Sequence, residues 1–227
     1  MASLGGSNAL PPCGCSSAVE RYPSKLDVVG SIPIIRFSII TIMYNFIETY
    51  DNVLSSEQCK KIIEYHGMSS RIRRGEVSSG IVPEAKDSWD VPAKFSEETE
   101  VDTTIHQGLT ECLEKYKERN PELNLIGHWA LKNDYNIQKY FPTGGYFAPH
   151  CEASNRVYSH RVFVWMIYLN TVTDGGGTKF PQHDLVTDAV EGRVVLWPAA
   201  WTHFHHGVVS MTETKYIATG WYCFVPK

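Results

Sequence analysis

The chain has 227 residues, a formal net charge of −4 and six cysteines at irregular positions. This length can bury one sizeable core without requiring a second domain, and the lack of a basic stripe argues against a nucleic-acid partner. The irregular cysteine spacing indicates reduced thiols in a cytoplasmic protein and argues against the disulfide framework of small secreted domains.

The first forty-two residues are interpreted separately from the rest. They lack the basic start, apolar core and cleavage site of a signal peptide, and the apolar run at 37–44 is far shorter than the roughly twenty residues of a membrane span. Residues 15–21 can be encoded by bases that match the D arm of a transfer-RNA gene, and residues 30–33 by bases that match its T arm. We expect 1–42 to be a non-native leader read from such a gene, with Met43 as the real start, or an ordinary disordered segment.

Two helices are predicted at the front of the remaining chain. Residues 55–58 have a capping-box pattern, and an apolar face follows them up to Gly67. A second amphipathic helix is predicted from an N-cap at Ser96 to Asn120. Residues 68–93 between the helices lack a period and mix Gly, Ser and Pro. They are predicted to form a long loop with some strand content, and long loops in enzymes are often substrate lids.

From His128 onward, short apolar runs alternate with Gly and Pro turns, as in an antiparallel barrel or jelly roll. Aromatic residues are plentiful in the chain, with six Trp and twelve Tyr, and they concentrate in this half, which suits a barrel with a lined pocket. We therefore predict one domain over 43–227 that is mainly β with flanking helices (α+β). Its helical front covers about 55–120 and its β core about 126–225.

A candidate metal site lies in the β core. Alternate residues of a strand point to one face, so His150 and Glu152 can reach the same ion while Cys151 points away. A histidine about fifty residues further on, from a neighbouring strand, would complete the set. Two histidines and one carboxylate hold ferrous iron on one face and leave the opposite positions open. The candidates for the third ligand are His203, His205 and His206.

A basic residue follows this histidine cluster. Lys215 comes after a turn signal at 210–213, so we expect it to lie on an antiparallel neighbour of the histidine strand and to face the same cavity. By the period of two, Lys215, Ile217, Thr219 and Trp221 share one face. This places Lys215 at the pocket wall and predicts a cosubstrate that carries a carboxylate.

Four further motifs accompany these residues. They are YFPTGGY at 140–146, RVFVWMIYLN at 161–170, GGGTKFP at 175–181 and GRVVLWP at 192–198. Together and in this order, they resemble the motifs of iron(II) and 2-oxoglutarate-dependent dioxygenases of the prolyl 4-hydroxylase type. The resemblance covers roughly residues 45–224.

The resemblance implies a double-stranded β-helix, or jelly roll, and a site that uses Fe(II), 2-oxoglutarate, O2 and ascorbate. The family spacing of ten residues to Lys215 selects His205 as the third ligand, and strand parity would then place His203 on the pocket face as well. Two positions depart from the common pattern. Glu152 is one methylene longer than the usual aspartate, and Lys215 replaces the arginine that many relatives have, which fits the prolyl hydroxylase branch.

Motif position implies further roles. Tyr140, Tyr168 and Thr178 are expected to contact the cosubstrate, together with Lys215 and the Trp221 on its face. Arg161 matches a family arginine on the substrate side, and a structural ion pair is the equally supported alternative for it.

The implied reaction is hydroxylation of an unactivated C–H bond, with release of succinate and CO2. The resemblance favours a peptidyl proline in a peptide or protein as the substrate, and a small metabolite is the other option; no membrane partner is expected. Two alternative functions are a jelly-roll metal-binding module and a cupin-like metal enzyme that does not use 2-oxoglutarate. Lys215 argues against both, because a buried lysine beside a metal site is costly unless an anion pairs with it.

Overall fold

The computed structural model describes residues 44–226. The predicted leader at 1–42 and the predicted start at Met43 lie outside this range. Within it, no helix combines the length and the hydrophobicity that crossing a lipid bilayer would require.

The first helix, α1 (Ser56–Met68), begins at the predicted position. The Ser55 hydroxyl accepts a hydrogen bond from the backbone N–H of Gln58, and the Gln58 side chain accepts one from the backbone N–H of Ser55. This reciprocal pair satisfies two donors that the first turn leaves without a helical partner, so the predicted capping box is confirmed.

The second helix, α2 (Glu100–Arg119), begins later than predicted. Its N-cap is Thr99, which forms a capping box with Asp102, whereas Ser96 lies in a short 3₁₀ turn before it. Asp102 also accepts a hydrogen bond of 2.6 Å from the Tyr135 hydroxyl. The prediction of Ser96 as the N-cap was therefore wrong, because Thr99 has the capping-box partner Asp102 three residues later, whereas Ser96 is followed at that distance by Thr99.

The strands form two antiparallel sheets. They are β1 (Glu48–Tyr50), β2 (Arg73–Arg74), β3 (Trp89–Lys94), β4 (Trp129–Leu131), β5 (Asp134–Tyr140), β6 (Arg161–Tyr168), β7 (Thr178–Phe180), β8 (Leu185–Thr187), β9 (Val194–Pro198), β10 (His206–Gly207) and β11 (Lys215–Phe224). The major sheet has the order β1-β9-β6-β11-β5-β3-β2, with β4 also paired to β11, and the minor sheet has the order β10-β7-β8. The predicted strand content of the loop at 68–93 is confirmed by β2 and β3.

The major sheet buries both of its faces, as β6 shows. Phe163, Trp165 and Ile167 belong to the core that α1 and α2 cover, whereas the alternate residues Val164 and Met166 face the second core, which reaches the minor sheet. A strand covered on both sides needs an uninterrupted apolar sequence, and VFVWMIY provides it. The predicted α+β jelly roll is confirmed, and its pocket opens between the two sheets.

Candidate metal centre

Two backbone hydrogen bonds hold the two predicted histidine ligands side by side. The N–H of His150 donates to the carbonyl of His205 at 3.0 Å, and the N–H of His205 donates to the carbonyl of His150 at 2.9 Å. This bridge is isolated, and Glu152 already lies in the turn that follows it. The expectation that His150 and Glu152 alternate along a strand was therefore wrong; the turn brings the carboxylate to the histidines.

The three side chains converge on one point. Oε1 of Glu152 lies 3.3 Å from Nε2 of His150 and 3.6 Å from Nε2 of His205. The other ring nitrogens are engaged, since Nδ1 of His150 donates to the carbonyl of Ala148 and Nδ1 of His205 to the carbonyl of His203, each at 3.0 Å. A carbonyl can only accept, so these bonds fix the tautomer that leaves both Nε2 lone pairs for a metal ion.

The charge states also suit a metal ion. Burial by itself raises the pKa of Glu152, but the imidazoles of His150 and His205 outweigh it and hold that pKa well below its usual range. Burial lowers the pKa of His205, which keeps its imidazole neutral. Metal binding needs an ionised carboxylate and neutral imidazoles, and the pKa shifts of Glu152 and His205 have the directions that this requires.

The competing histidines lie elsewhere. His203 ends a 3₁₀ turn that starts at Trp201, and its Nε2 hydrogen-bonds to the carbonyl of Asn45 at 2.8 Å. The expectation that His203 shares the pocket face was wrong, because strand parity does not apply to a 3₁₀ turn. His206 lies in β10 and does not line the pocket. Over residues 44–226, His150, Glu152 and His205 form the one His/Cys/Asp/Glu group whose potential ligand atoms converge, all within 4.8 Å of one another.

Aromatic rings support the two histidines. Tyr146 stacks on His150, with ring centroids 3.7 Å apart and planes inclined by 13°. Trp197 packs edge-on against His205 at 5.0 Å, and Phe180 lies 5.6 Å from it. The sequence motifs contain all three aromatics, but only the fold shows that they fix the orientation of the ligand rings.

The second oxygen of Glu152 has its own partners. Oε2 accepts a hydrogen bond of 2.7 Å from Nη1 of Arg161 and one of 2.9 Å from Nε1 of Trp221. Arg161 also stacks between Trp221 and Tyr158, with its guanidinium carbon 3.8 Å and 4.3 Å from the two ring centroids. The structure thus places Arg161 in an ion pair with Glu152, the alternative that its sequence position left open, and places Trp221 against the same carboxylate.

Lys215 lines another part of the pocket. It is 6% exposed, and its ammonium donates to the carbonyl of Gly176 at 2.9 Å and lies 4.8 Å from the ring centroid of Tyr140. No carboxylate of the described residues pairs with it, and burial lowers its pKa to about 8. Because an ammonium has three donors, this lysine has capacity left for an anion. Ile217, Thr219 and Trp221 line the same pocket, so the predicted shared face is confirmed.

The turn before Lys215 differs from the prediction. Lys215 pairs with Tyr140 of β5, so it is not on an antiparallel neighbour of His205. Asp174 instead holds this turn to the glycine-rich segment, accepting hydrogen bonds from the hydroxyl of Ser210 and from the backbone N–H of Thr212. The carbonyl that receives Lys215 belongs to that segment.

Gly176 explains part of the GGGTKFP motif. Its φ is +71°, and a Cβ at this position would lie 2.6 Å from Cβ of Val172. Only glycine fits both constraints without strain. The turn therefore directs the Gly176 carbonyl to Lys215 and leads the chain into β7.

The three other predicted cosubstrate contacts divide into two groups. Tyr140 and Thr178 line the pocket, and the Tyr140 hydroxyl donates to Gln138 at 2.6 Å. Tyr168 does not line it. Its hydroxyl is enclosed by the hydroxyls of Thr178 at 2.8 Å and Thr187 at 3.1 Å. The structure therefore places Tyr168 behind Thr178, where it can orient the threonine but does not reach the cavity.

The pocket has a volume of about 350 Å³, and the segment between α1 and α2, which the sequence predicted as a long loop over 68–93, forms one of its walls. The residues that this segment contributes include Arg73, Glu76, Lys86 and Asp90. Lys86 and Asp90 form a buried ion pair at 2.6 Å. The sequence did not predict this pair, because residues 68–93 show no regular spacing of apolar residues. The interpretation of the segment as a substrate lid stays a prediction.

Two buried donors on residues that line the cavity have no hydrogen-bond partner among residues 44–226. They are Nε of Arg161 and Nε1 of Trp197, both buried. Buried donors without partners are rare in folded proteins and call for an acceptor. The converging ligand atoms and Lys215 fit a pocket that takes a metal ion and an oxygen-rich anion.

Comparison with known proteins agrees with this chemistry. Residues 135–223 match the family model described as the 2OG-Fe(II) oxygenase superfamily. The matched range contains His150, Glu152, His205 and Lys215. No curated protein sequence matches the chain significantly.

Several solved structures share the fold. The viral collagen prolyl hydroxylase of Paramecium Bursaria Chlorella virus-1, solved as a 2OG complex, is 19% identical with a TM-score of 0.59, and the match covers 80% of this chain and 97% of that one. A Trichoplax adhaerens prolyl hydroxylase, in complex with a hypoxia inducible factor peptide fragment, is 18% identical with a TM-score of 0.61, covering 79% and 84%. A Pseudomonas putida prolyl-4-hydroxylase is 14% identical with a TM-score of 0.60, covering 79% and 93%.

Proposed function

We propose that this chain is a 2OG-dependent dioxygenase that hydroxylates a proline residue within a peptide, in line with the match of residues 135–223 to the 2OG-Fe(II) oxygenase superfamily. The observation that carries the proposal is the convergence of His150, Glu152 and His205 in one pocket with a buried lysine that lacks a carboxylate partner among residues 44–226. When bound there, ferrous iron and 2-oxoglutarate supply the oxidising chemistry, in which one atom of dioxygen enters the substrate C–H bond and the other enters succinate as CO2 leaves.

The residues of the chain have distinct roles in this proposal. His150, Glu152 and His205 hold the iron by one oxygen and two nitrogens and leave its other positions open. Lys215 receives the distal carboxylate of 2-oxoglutarate, for which its remaining donors and its buried charge are suited. Tyr140 and Thr178 shape the wall around that carboxylate and exclude water, which strengthens the ion pair.

A peptide substrate is supported by the known structures that share the fold. The three described above are prolyl hydroxylases, and the Trichoplax adhaerens protein was solved with a peptide fragment. In this chain the segment between α1 and α2 borders the pocket with charged side chains, among them Arg73 and Glu76. Such a border suits the polar backbone and flanking residues of a peptide. Ascorbate would serve as the external reductant that keeps the iron ferrous.

The experiment is an assay with the purified protein, Fe(II), 2-oxoglutarate, ascorbate and a library of proline-containing peptides. We expect succinate to form and mass spectrometry to locate one added oxygen atom on a proline. The controls are the same peptides with alanine in place of proline and the His205→Ala variant. Succinate without any oxidised proline would contradict the peptide substrate and favour a small metabolite. A protein that neither binds 2-oxoglutarate nor forms succinate would be a metal-binding module or a cupin-like enzyme.

The affinity for 2-oxoglutarate should depend on pH through Lys215. Burial lowers the pKa of this lysine to about 8, and only its ammonium form attracts a carboxylate. Affinity should therefore change little up to about pH 7, be roughly halved at about pH 8 and fall by up to about tenfold per pH unit above it, since a proton must be taken up on binding. Titrations of 2-oxoglutarate against the metal-loaded protein would measure this. Lys215→Arg should remove the fall, because arginine stays protonated; an equal fall in that variant would contradict the assignment.

A further inference from the structure

We propose that Arg161 and Trp221 are positioning residues, which hold Glu152 so that only one of its oxygens reaches the metal. We call the two residues the carboxylate clamp. The inference rests on the metal site of the proposed function and assigns to both residues a role different from contact with substrate or cosubstrate.

The contacts divide the two oxygens of Glu152. Oε1 faces Nε2 of His150 at 3.3 Å and Nε2 of His205 at 3.6 Å. Oε2 accepts from Arg161 at 2.7 Å and from Trp221 at 2.9 Å. An oxygen with two strong donors on it is not available to the metal as well. The clamp thus prevents the carboxylate from binding through both oxygens, which would occupy a coordination position that the reaction needs open.

The clamp residues belong to paired strands, whereas the residue that they hold lies in a turn. Arg161 begins β6 and Trp221 lies within β11, and these two strands pair with each other. Glu152 lies in a turn. Nη1 of Arg161 also donates to the backbone carbonyl of Glu152 at 3.2 Å, so one guanidinium group holds both the main chain and the side chain of this residue. Stacking on Trp221 and Tyr158 in turn fixes the guanidinium plane.

The length of the Glu152 side chain explains why a clamp is needed. Glutamate has one more rotatable bond than aspartate, and its carboxylate can reach more positions around a metal ion. Hydrogen bonds to the outer oxygen remove this freedom before the metal binds, so less ordering remains to be done on binding. Outer partners of this kind usually change metal affinity or activity by about 10- to 100-fold when they are lost.

The test measures Co(II) binding by calorimetry and by visible absorption, with no cosubstrate present. Arg161→Gln should weaken Co(II) binding by about 10- to 100-fold and change the absorption bands, since the released oxygen becomes available to the ion. Trp221→Phe, which keeps the ring and removes the N–H, should shift both readouts in the same direction by less, and Arg161→Lys should restore part of the affinity. Arg193→Gln, which removes a surface ion pair with Asp51, and Trp201→Phe, at an exposed tryptophan, are the matched controls and should bind Co(II) like the wild type.

A double-mutant cycle shows whether Arg161 acts through Glu152. Glu152→Asp shortens the arm, so one carboxylate no longer spans the distance between the ion and the clamp. In that background Arg161→Gln should cost clearly less Co(II) affinity than in the wild type, a non-additivity expected only for residues that interact.

The outcomes distinguish this inference from the proposed function. Unchanged Co(II) affinity and absorption in Arg161→Gln and Trp221→Phe, with a raised KM for peptide, would overturn the clamp and make both residues substrate contacts while leaving the oxygenase intact. A wild-type protein that does not bind Co(II) would overturn the metal site and the clamp with it. If Arg161→Gln fails to fold by circular dichroism, Trp221→Phe carries the test alone, and its unchanged spectrum would overturn the proposal.

Discussion

His205→Ala is expected to abolish succinate formation and to reduce Fe(II) affinity by more than about a hundredfold, because losing a direct ligand must cost more than losing one of its outer partners. Only one histidine and one carboxylate would remain, and two protein ligands do not hold ferrous iron firmly in an open site. The bridge between the backbones of residues 150 and 205 uses main-chain atoms, so the local fold should survive the change. The measurements are succinate by mass spectrometry and Fe(II) binding under anaerobic conditions.

The neighbouring histidines provide the controls. His206→Ala changes the next residue, which does not line the pocket, and should keep both succinate formation and iron affinity. His203→Ala removes a hydrogen bond to the carbonyl of Asn45, so it should lower the melting temperature while the iron site remains. Full activity in His205→Ala together with loss in His206→Ala would show that the wrong histidine was selected as a ligand.

The sequence predicted the fold well where the signals are local. The capping box at Ser55 and the apolar run of β6 each act within a few residues, and both appear in the structure as expected. The predicted start of α2 was wrong. Ser96 and Thr99 are both acceptable N-cap residues, but only Thr99 has an acidic residue three positions later, and Asp102 also accepts a hydrogen bond from Tyr135 of a distant strand.

The candidate site was predicted by motif and not by geometry. The three ligands converge as expected, yet the strand parity used for Glu152 and His203 failed, because neither residue belongs to a regular strand. Parity holds only while both residues stay in one uninterrupted strand. The contacts of Arg161 and Trp221 with Glu152 join a turn to two strands, and no spacing pattern in the sequence indicates them. They are evident only from the structure.

The second large effect is expected at Lys215. If its ammonium pairs with the distal carboxylate of 2-oxoglutarate, Lys215→Ala should weaken cosubstrate binding by about one to two orders of magnitude, since a charge-assisted hydrogen bond contributes about 1.5 to 3 kcal/mol. Iron affinity should hardly change, because the ammonium donates to Gly176 and touches none of the three ligands. The measurement is a titration of 2-oxoglutarate against the iron-loaded protein under anaerobic conditions, followed by the absorption band of the chelate.

The adjacent strand offers a matched control for this lysine. Lys139 lies one residue before Tyr140, the residue that pairs with Lys215, and it packs on Phe141 and Tyr216 outside the pocket. Lys139→Ala therefore removes the same charge from the same region and should leave the 2-oxoglutarate titration unchanged. Lys215→Arg should be milder than Lys215→Ala, because the charge is kept, although the planar guanidinium has to fit a cavity built for an ammonium. An unchanged titration in Lys215→Ala would mean that the buried lysine only holds the Gly176 turn, and the cosubstrate carboxylate would then need a different partner in the pocket.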